Sequence, residues 1–110
     1  MKKDVYEKLV RDKIPDIIKQ NGDIPDIEIM DDETYVKKLD EKLLEECNEL
    51  VNASDKKSII DESADVLEVM YAKAEAVGVT KEEIEKARLE KQQKRGGFKQ
   101  KILLKSTMSK

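Results

Sequence analysis

Apolar and polar positions alternate along this chain with two clear rhythms, and the helical one dominates. From residue 31 onward Val36, Leu39, Leu43, Cys47, Leu50 and Val51 fall at three- and four-residue steps, the spacing of one helix face. Asp31 or Asp32 can cap this helix, which should run to about Asn52. Ser54 or Asp55 then caps a second helix, with Ile59, Ala64, Leu67, Tyr71 and Ala74 as its expected inner face and Gly78 as its stop. So short a connection predicts an antiparallel pair. Thr80-Lys81-Glu82-Glu83 reads as a capping box opening a third long helix, poor in large apolar residues and ending at Gly96-Gly97.

The flanks read less simply. Val5, Leu9, Val10, Ile14, Ile17 and Ile18 recur at roughly helical spacing, but Pro15 cannot lie deep in a helix. Two short helical pieces are therefore expected, the second beginning near Pro15 and stopping at Asn21-Gly22. Ile27 and Ile29 alternate with polar neighbours over residues 26–30, as in a short strand. Ile102, Leu103 and Leu104 could supply a partner strand within residues 100–104. The expected fold class is all-α, an antiparallel helical bundle with a small two-strand annex. One domain over residues 1–110 is the natural reading of the length, with a loose tail over 106–110.

Composition sharpens this picture. Charged residues make up 43% and the apolar set 38%, with no Trp and one Phe. That is a lean core for a small monomer, so a dimer or tetramer is expected, identical subunits covering what one domain cannot. The near balance of 22 basic and 25 acidic side chains argues against a nucleic-acid polymer as partner. No apolar run nears the roughly 18 residues that would suggest a membrane span. There is no h-region of a signal peptide after Met1-Lys2-Lys3-Asp4. A single cysteine, Cys47, rules out an intramolecular disulfide and suits a reducing, cytoplasmic setting. Without histidine there is no Ser-His or Cys-His nucleophile and no His-based zinc site. Cys47 then reads as a buried, inert thiol.

The chemistry concentrates in two acidic pairs. Glu46 and Glu49 lie three apart on the first long helix, and Glu62 and Asp65 three apart on the second, so each pair shares a helix face. An antiparallel hairpin can set the pairs opposite one another. Acidic pairs on helices are usually solvated surface. Here both interrupt the most apolar stretches of the chain, between Leu43-Leu44 and Leu50-Val51, and between Ile59-Ile60 and Val66-Leu67. Four converging carboxylates repel one another and resist desolvation; a hard divalent cation relieves both costs. Mg²⁺, with Mn²⁺ as a substitute, is one such ion, and its taste for phosphate oxygens points toward phosphate chemistry.

Glu45-Glu46-x-x-Glu49, twelve residues, then Glu62-x-x-Asp65 resembles the metal-binding signature of the MazG-like superfamily, the all-α nucleoside triphosphate pyrophosphohydrolases. Tyr6-x-Lys8-Leu9-Val10-Arg11-Asp12-Lys13-Ile14-Pro15 looks like the opening of its phosphoribosyl-ATP pyrophosphohydrolase-like small-protein branch, and Lys94-Arg95-Gly96-Gly97-Phe98 like the closing signature. The resemblance implies a helical bundle, Mg²⁺ held by Glu46, Glu49, Glu62 and Asp65, and cleavage of a nucleotide between its α and β phosphates into a monophosphate and pyrophosphate. A water activated by the metal or by a carboxylate would attack in line, with Glu45 as a candidate general base.

A phosphate tail also needs positive charge. Lys8, Arg11 and Lys13 form one candidate substrate-binding group; Lys91, Lys94 and Arg95 form another. Most of these lysines read as solvated surface charge, Arg11 and Arg95 less so because they lie inside the matched signatures. Gly96-Gly97 serves equally as a helix cap or as a close approach to ligand. Asp12 can orient Arg11, and Tyr71 and Phe98 read as packing residues with base stacking open to either. Three functions follow in order: a nucleotide pyrophosphohydrolase, a phosphoribosyl-ATP pyrophosphohydrolase of histidine biosynthesis, and a non-enzymatic helical module that binds a protein through its apolar stripe.

Overall fold

A computed structural model describes residues 2–109; Met1 and Lys110, the outermost residues of the expected basic start and loose tail, lie outside the described residues. The described chain is helical: α1 (Ile14–Gln20), α2 (Asp32–Asn52), α3 (Lys56–Ala76) and α4 (Lys81–Arg95). It divides into two units, Met1–Gly78 and Val79–Lys110.

The first unit is built on the α2–α3 hairpin. The Asp31 side chain accepts the Thr34 backbone N–H at 2.8 Å and so opens α2. The Asp55 side chain does the same for Ser58 at 3.2 Å and opens α3. Each carboxylate satisfies an amide that has no partner within its helix, a contact worth about 0.5–2 kcal/mol. Neither helix contains Gly or Pro, so nothing interrupts 21 residues in each. Three residues, 53–55, turn the chain, which makes the helices antiparallel neighbours. Leu39 is the one apolar side chain fully buried among the described residues. Half-buried Leu43, Cys47 and Leu50 continue its line along α2, as the periodicity predicts, while Val36 and Val51 at the two ends of the stripe are exposed.

The inner face of α3 departs from expectation. Ile59, Ala64 and Leu67 are exposed, and the shielded line runs through Ser58, Glu62, Asp65, Val66, Val69 and Met70, with Tyr71 and Ala74 half-buried as expected. The helix is apolar on more than one side, so its period does not fix its phase. The acidic pair itself takes part of the inward phase.

Two further expectations are corrected. Residues 2–10 are not helical; only the piece from Ile14 is, with Pro15 in its first turn. This α1 stops in a Schellman motif: Asp23 N–H donates to the Ile18 carbonyl at 3.1 Å and Gly22 N–H to that of Lys19 at 3.0 Å. Gly22 takes a φ of +89°, open to glycine at little cost. No strand forms among the described residues, so the annex of residues 26–30 and 100–104 is absent. An isolated two-stranded ribbon is marginal in water, and Ile29 and Leu103 in these segments lie open to solvent.

The second unit is α4 with the non-helical residues that follow it. Its capping box forms as the sequence predicts: Glu83 N–H donates to Thr80 Oγ1 at 3.1 Å while Thr80 N–H donates to Glu83 Oε1 at 3.2 Å. Gly96, at φ +82°, ends the helix by donating its N–H to the Gln92 carbonyl at 2.7 Å. Phe98, expected to pack, is 98% exposed. Residues 106–109 are exposed and non-helical.

Candidate active site

The hairpin brings three of the four expected carboxylates together. Glu46 and Glu49 of α2 and Glu62 of α3 each offer an oxygen within 4.8 Å of the other two. Glu46 lies in the buried seam, 6% exposed, with Glu62 half-buried and Glu49 at the open edge. Glu46 Oε2 and Glu62 Oε2 are both buried without a hydrogen-bond partner.

Buried carboxylate oxygens without partners are costly, and the cost shows in proton affinity. The Glu46 carboxyl is pushed above the usual glutamate value, first by burial and next by the charge of Glu49, with Lys42 working in the opposite sense. The Glu49 carboxyl also rises, chiefly because the Glu62 carboxyl lies within hydrogen-bonding reach of it, and further through partial desolvation and the Glu62 charge. Three acidic groups whose oxygens crowd together, two of them orphaned, form a donor set suited to a hard divalent cation. The residues present therefore fit such an ion and could hold one.

Asp65 stands beside this group and is engaged elsewhere. Its Oδ1 accepts a hydrogen bond from Arg11 Nη2 at 2.7 Å, across 54 positions of sequence. Lys8 Nζ reaches Glu45 Oε1 at 3.3 Å. The chain before α1 is thus pinned to both helices of the hairpin by the two cations that its motif supplies. Glu45 lies off the cluster's phase, at the rim, between Lys8 and Lys42.

Lys42 is a residue that sequence reasoning missed. Its Nζ lies 3.4 Å from Glu46 Oε1 and 3.9 Å from Glu45 Oε1. The signal was present, since Lys42 precedes Glu46 by four positions on one helix face. A cleft of about 80 Å³ adjoins this region, where Lys8, Lys38 and Lys42 alternate with Glu7, Glu41 and Glu45. Lys38 Nζ there donates to the Glu7 carbonyl at 3.2 Å, a further tie between α2 and the N-terminal segment.

Lys13 caps the start of α1 with its backbone and makes no ion pair among the described residues. Lys91, Lys94 and Arg95 belong to the second unit, where they stand exposed on the last turns of α4.

Carboxylates converging from two antiparallel helices, with cations on the adjoining wall, make a candidate divalent-cation site beside groups able to meet anionic oxygens. A family model described as phosphoribosyl-ATP pyrophosphohydrolase matches residues 8–92, from the N-terminal motif through both acidic pairs and most of α4. The chain belongs to that family, part of the MazG-like all-α superfamily, and is a nucleotide pyrophosphohydrolase. No curated protein and no solved structure gives a match. The family membership sets aside the reading of a purely protein-binding helical module. No helix among the described residues is long and apolar enough to cross a membrane.

Proposed function

We propose that the protein hydrolyses a nucleotide to a monophosphate and pyrophosphate in a Mg²⁺-dependent reaction, with Glu46, Glu49, Glu62 and Asp65 as the metal-holding residues. The observation that carries this is the Glu46–Glu49–Glu62 cluster, with the buried, unpartnered Glu46 Oε2 inside it. Bound there, Mg²⁺ or Mn²⁺ supplies neutralisation of phosphate charge and polarisation of the attacked phosphorus.

The chain's own groups do the rest. Lys8, Arg11 and Lys42 lie on the acidic centre and can turn to the phosphate tail, and the arginine fork suits two phosphate oxygens at once. Lys13, Lys91 and Arg95 are further substrate-binding groups in this reading. Glu45, held at the rim by lysines, accepts the proton of the attacking water. The new bond joins that water's oxygen to phosphorus, the phosphoanhydride bond breaks, and pyrophosphate leaves with the bonding pair. The family match across residues 8–92 supports the whole chain acting as one catalytic domain.

A second reading narrows the substrate to phosphoribosyl-ATP, which the description of the matching family favours. One experiment separates the two: pyrophosphate release measured with Mg²⁺ across a panel of nucleoside triphosphates and phosphoribosyl-ATP. Turnover of the latter alone establishes the narrow reading, and turnover of triphosphates the broad one. Silence across the panel, with and without Mg²⁺ or Mn²⁺, refutes both.

Self-association belongs to the same proposal. Leu44 and Val51 on α2 and Ile60 and Leu67 on α3 recur at seven-residue spacing on faces the hairpin leaves open. Covering such faces with identical chains stabilises a small acidic domain with one fully buried apolar side chain among the described residues. Light scattering at micromolar concentration should report a dimer or tetramer; a monomer refutes this part. The lone Cys47 accords with a reducing cytoplasmic setting.

A further inference from the structure

We infer that Arg11 is a positioning residue with two stations: it holds Asp65 while the acidic centre lacks a cation, and it passes to the substrate's phosphates once one is bound. The inference rests on the metal reading above and adds an antagonism that this reading does not contain.

Three observations carry it. Arg11 Nη2 donates to Asp65 Oδ1 at 2.7 Å, so the guanidinium sits on one of the carboxylates the cation would need. Asp65 also adds to the negative charge felt by Glu46, so the pair stands at the centre's edge rather than apart from it. Both partners remain open to water, the Arg11 side chain 59% and the Asp65 side chain 40% exposed, which makes the pair weak and readily exchanged.

The direction of exchange follows from charge. A divalent cation draws Asp65 more strongly than a single positive charge does, and it repels the guanidinium. A phosphate tail then brings negative charge to the same place, and the guanidinium fork binds phosphate as well as it binds carboxylate. Arg11 can leave Asp65 by side-chain rotation alone, with its backbone carbonyl still accepting the Ile14 N–H at 3.0 Å, because the guanidinium is exposed and Asp65 is its side-chain partner. The anchor at Lys8–Glu45 keeps the segment nearby. Arg11 should therefore oppose the cation alone and favour phosphate once the cation is bound.

A purely structural role gives no such reversal of sign, and the test reads it directly. Mn²⁺ affinity is measured by electron paramagnetic resonance of the free ion. Binding of inorganic pyrophosphate at saturating Mn²⁺ is measured by calorimetry. The proteins are the full chain, Arg11→Gln, Arg11→Lys, and Lys37→Gln as a general charge control, since Lys37 pairs with Glu33 away from the centre. Arg11→Gln should bind Mn²⁺ roughly two- to fivefold more tightly than the full chain, the range of an exposed ion pair. It should bind pyrophosphate at least about threefold more weakly, the loss of a charge-assisted contact. Arg11→Lys, which keeps the charge, should lie near the full chain in Mn²⁺ affinity. Mn²⁺ binding by Arg11→Gln no tighter than by Lys37→Gln overturns the inference, as does pyrophosphate binding that is unchanged in Arg11→Gln or absent in the full chain. A full chain that takes up no Mn²⁺ removes the metal reading and this inference with it, whereas uptake without the reversal removes this inference alone.

Discussion

Glutamine in place of Glu46 is expected to raise the melting temperature of the metal-free protein while abolishing its response to Mg²⁺. Glu46 is the most buried acidic group among the described residues; its Oε2 has no partner and its charge faces Glu49. The amide keeps the shape, removes the charge and gains an N–H that the Glu49 or Glu62 carboxylate can accept. Removing an unsatisfied buried polar atom and a like-charge contact returns stability on the order of 1 kcal/mol. Unfolding entropy near 2.1 cal/mol/K per residue, taken over 110 residues, makes about 1 kcal/mol equal to roughly 4 °C.

The metal response has the opposite ordering. An ion present at a hundred times its dissociation constant stabilises the native state by about 2.7 kcal/mol, or roughly 12 °C by the same conversion. Thermal melts followed by circular dichroism, at constant ionic strength and fixed protein concentration, give both numbers in one series. The full chain should melt lower than Glu46→Gln without Mg²⁺ and higher with it. If the variant melts lower in both conditions, the Glu46–Lys42 pair outweighs the orphaned oxygen and the account of the site's strain is wrong. If it keeps the full Mg²⁺ response, Glu46 holds no metal.

Other expectations follow from the same geometry. Glu49→Gln should keep the fold and lose turnover by at least about a hundredfold, as transition-state charge stabilisation worth about 2.7–4 kcal/mol does when removed; wild-type kcat/KM on the best substrate of the panel would remove Glu49 from the site. Raised Glu46 and Glu49 carboxyls mean that the folded, metal-free protein keeps protons that the unfolded chain releases. Its stability should therefore fall as pH rises from about 4.5 towards the raised folded values, and the fall should flatten in Glu49→Gln; melts rising through that window would contradict this. Because the ion must displace those protons, Mg²⁺ stabilisation should grow over the same range. Arg95→Ala should lower kcat/KM by an amount on the order of 1.5–3 kcal/mol if Arg95 meets phosphate. A melting shift worth only ~0.3–1 kcal/mol, with normal kinetics, would leave it as a favourable charge at the end of α4.

The helices were legible because their signals are local. Asp31, Asp55 and Thr80 cap where capping residues should, and Gly22, Gly78 and Gly96 sit just past helix ends at positive φ. What failed was what depends on partners. Ile27, Ile29 and Ile102–Leu104 have strand-like composition, but a strand exists only where another pairs with it. Val5, Leu9 and Val10 have helical spacing, but their segment is drawn onto the hairpin by Lys8 and Arg11, a contact invisible to any local window. Three of the four expected carboxylates, Glu46, Glu49 and Glu62, were legible as a group because they interrupt the apolar stretches of adjacent antiparallel helices in phase. Asp65's pairing with Arg11 and the place of Lys42 needed coordinates.

The misread phase of α3 and the acidic site have a common cause. An ordinary helical hairpin turns its apolar residues inward, and α3 does so only in part, because Glu62 and Asp65 occupy inward turns. Ile60 and Leu67 are thereby rotated to the outer side, where Leu44 and Val51 of α2 also lie open. Lys42 and Arg11 offset only part of this charge, and Glu46 Oε2 and Glu62 Oε2 stay buried without partners, so the hairpin gives up packing where it needs it most. Two sources of stability remain for such a chain, a cation inside the seam and a second copy on the outer faces. The metal response and the association should accordingly be separable. If the copies associate through these faces, Glu46→Gln should still associate, because its outer residues are untouched, and should do so without Mg²⁺. A variant with Ile60 and Leu67 replaced by polar residues should lose association and melt lower even when Mg²⁺ is saturating. Association that survives both polar replacements would place the contact elsewhere on the chain and break this argument.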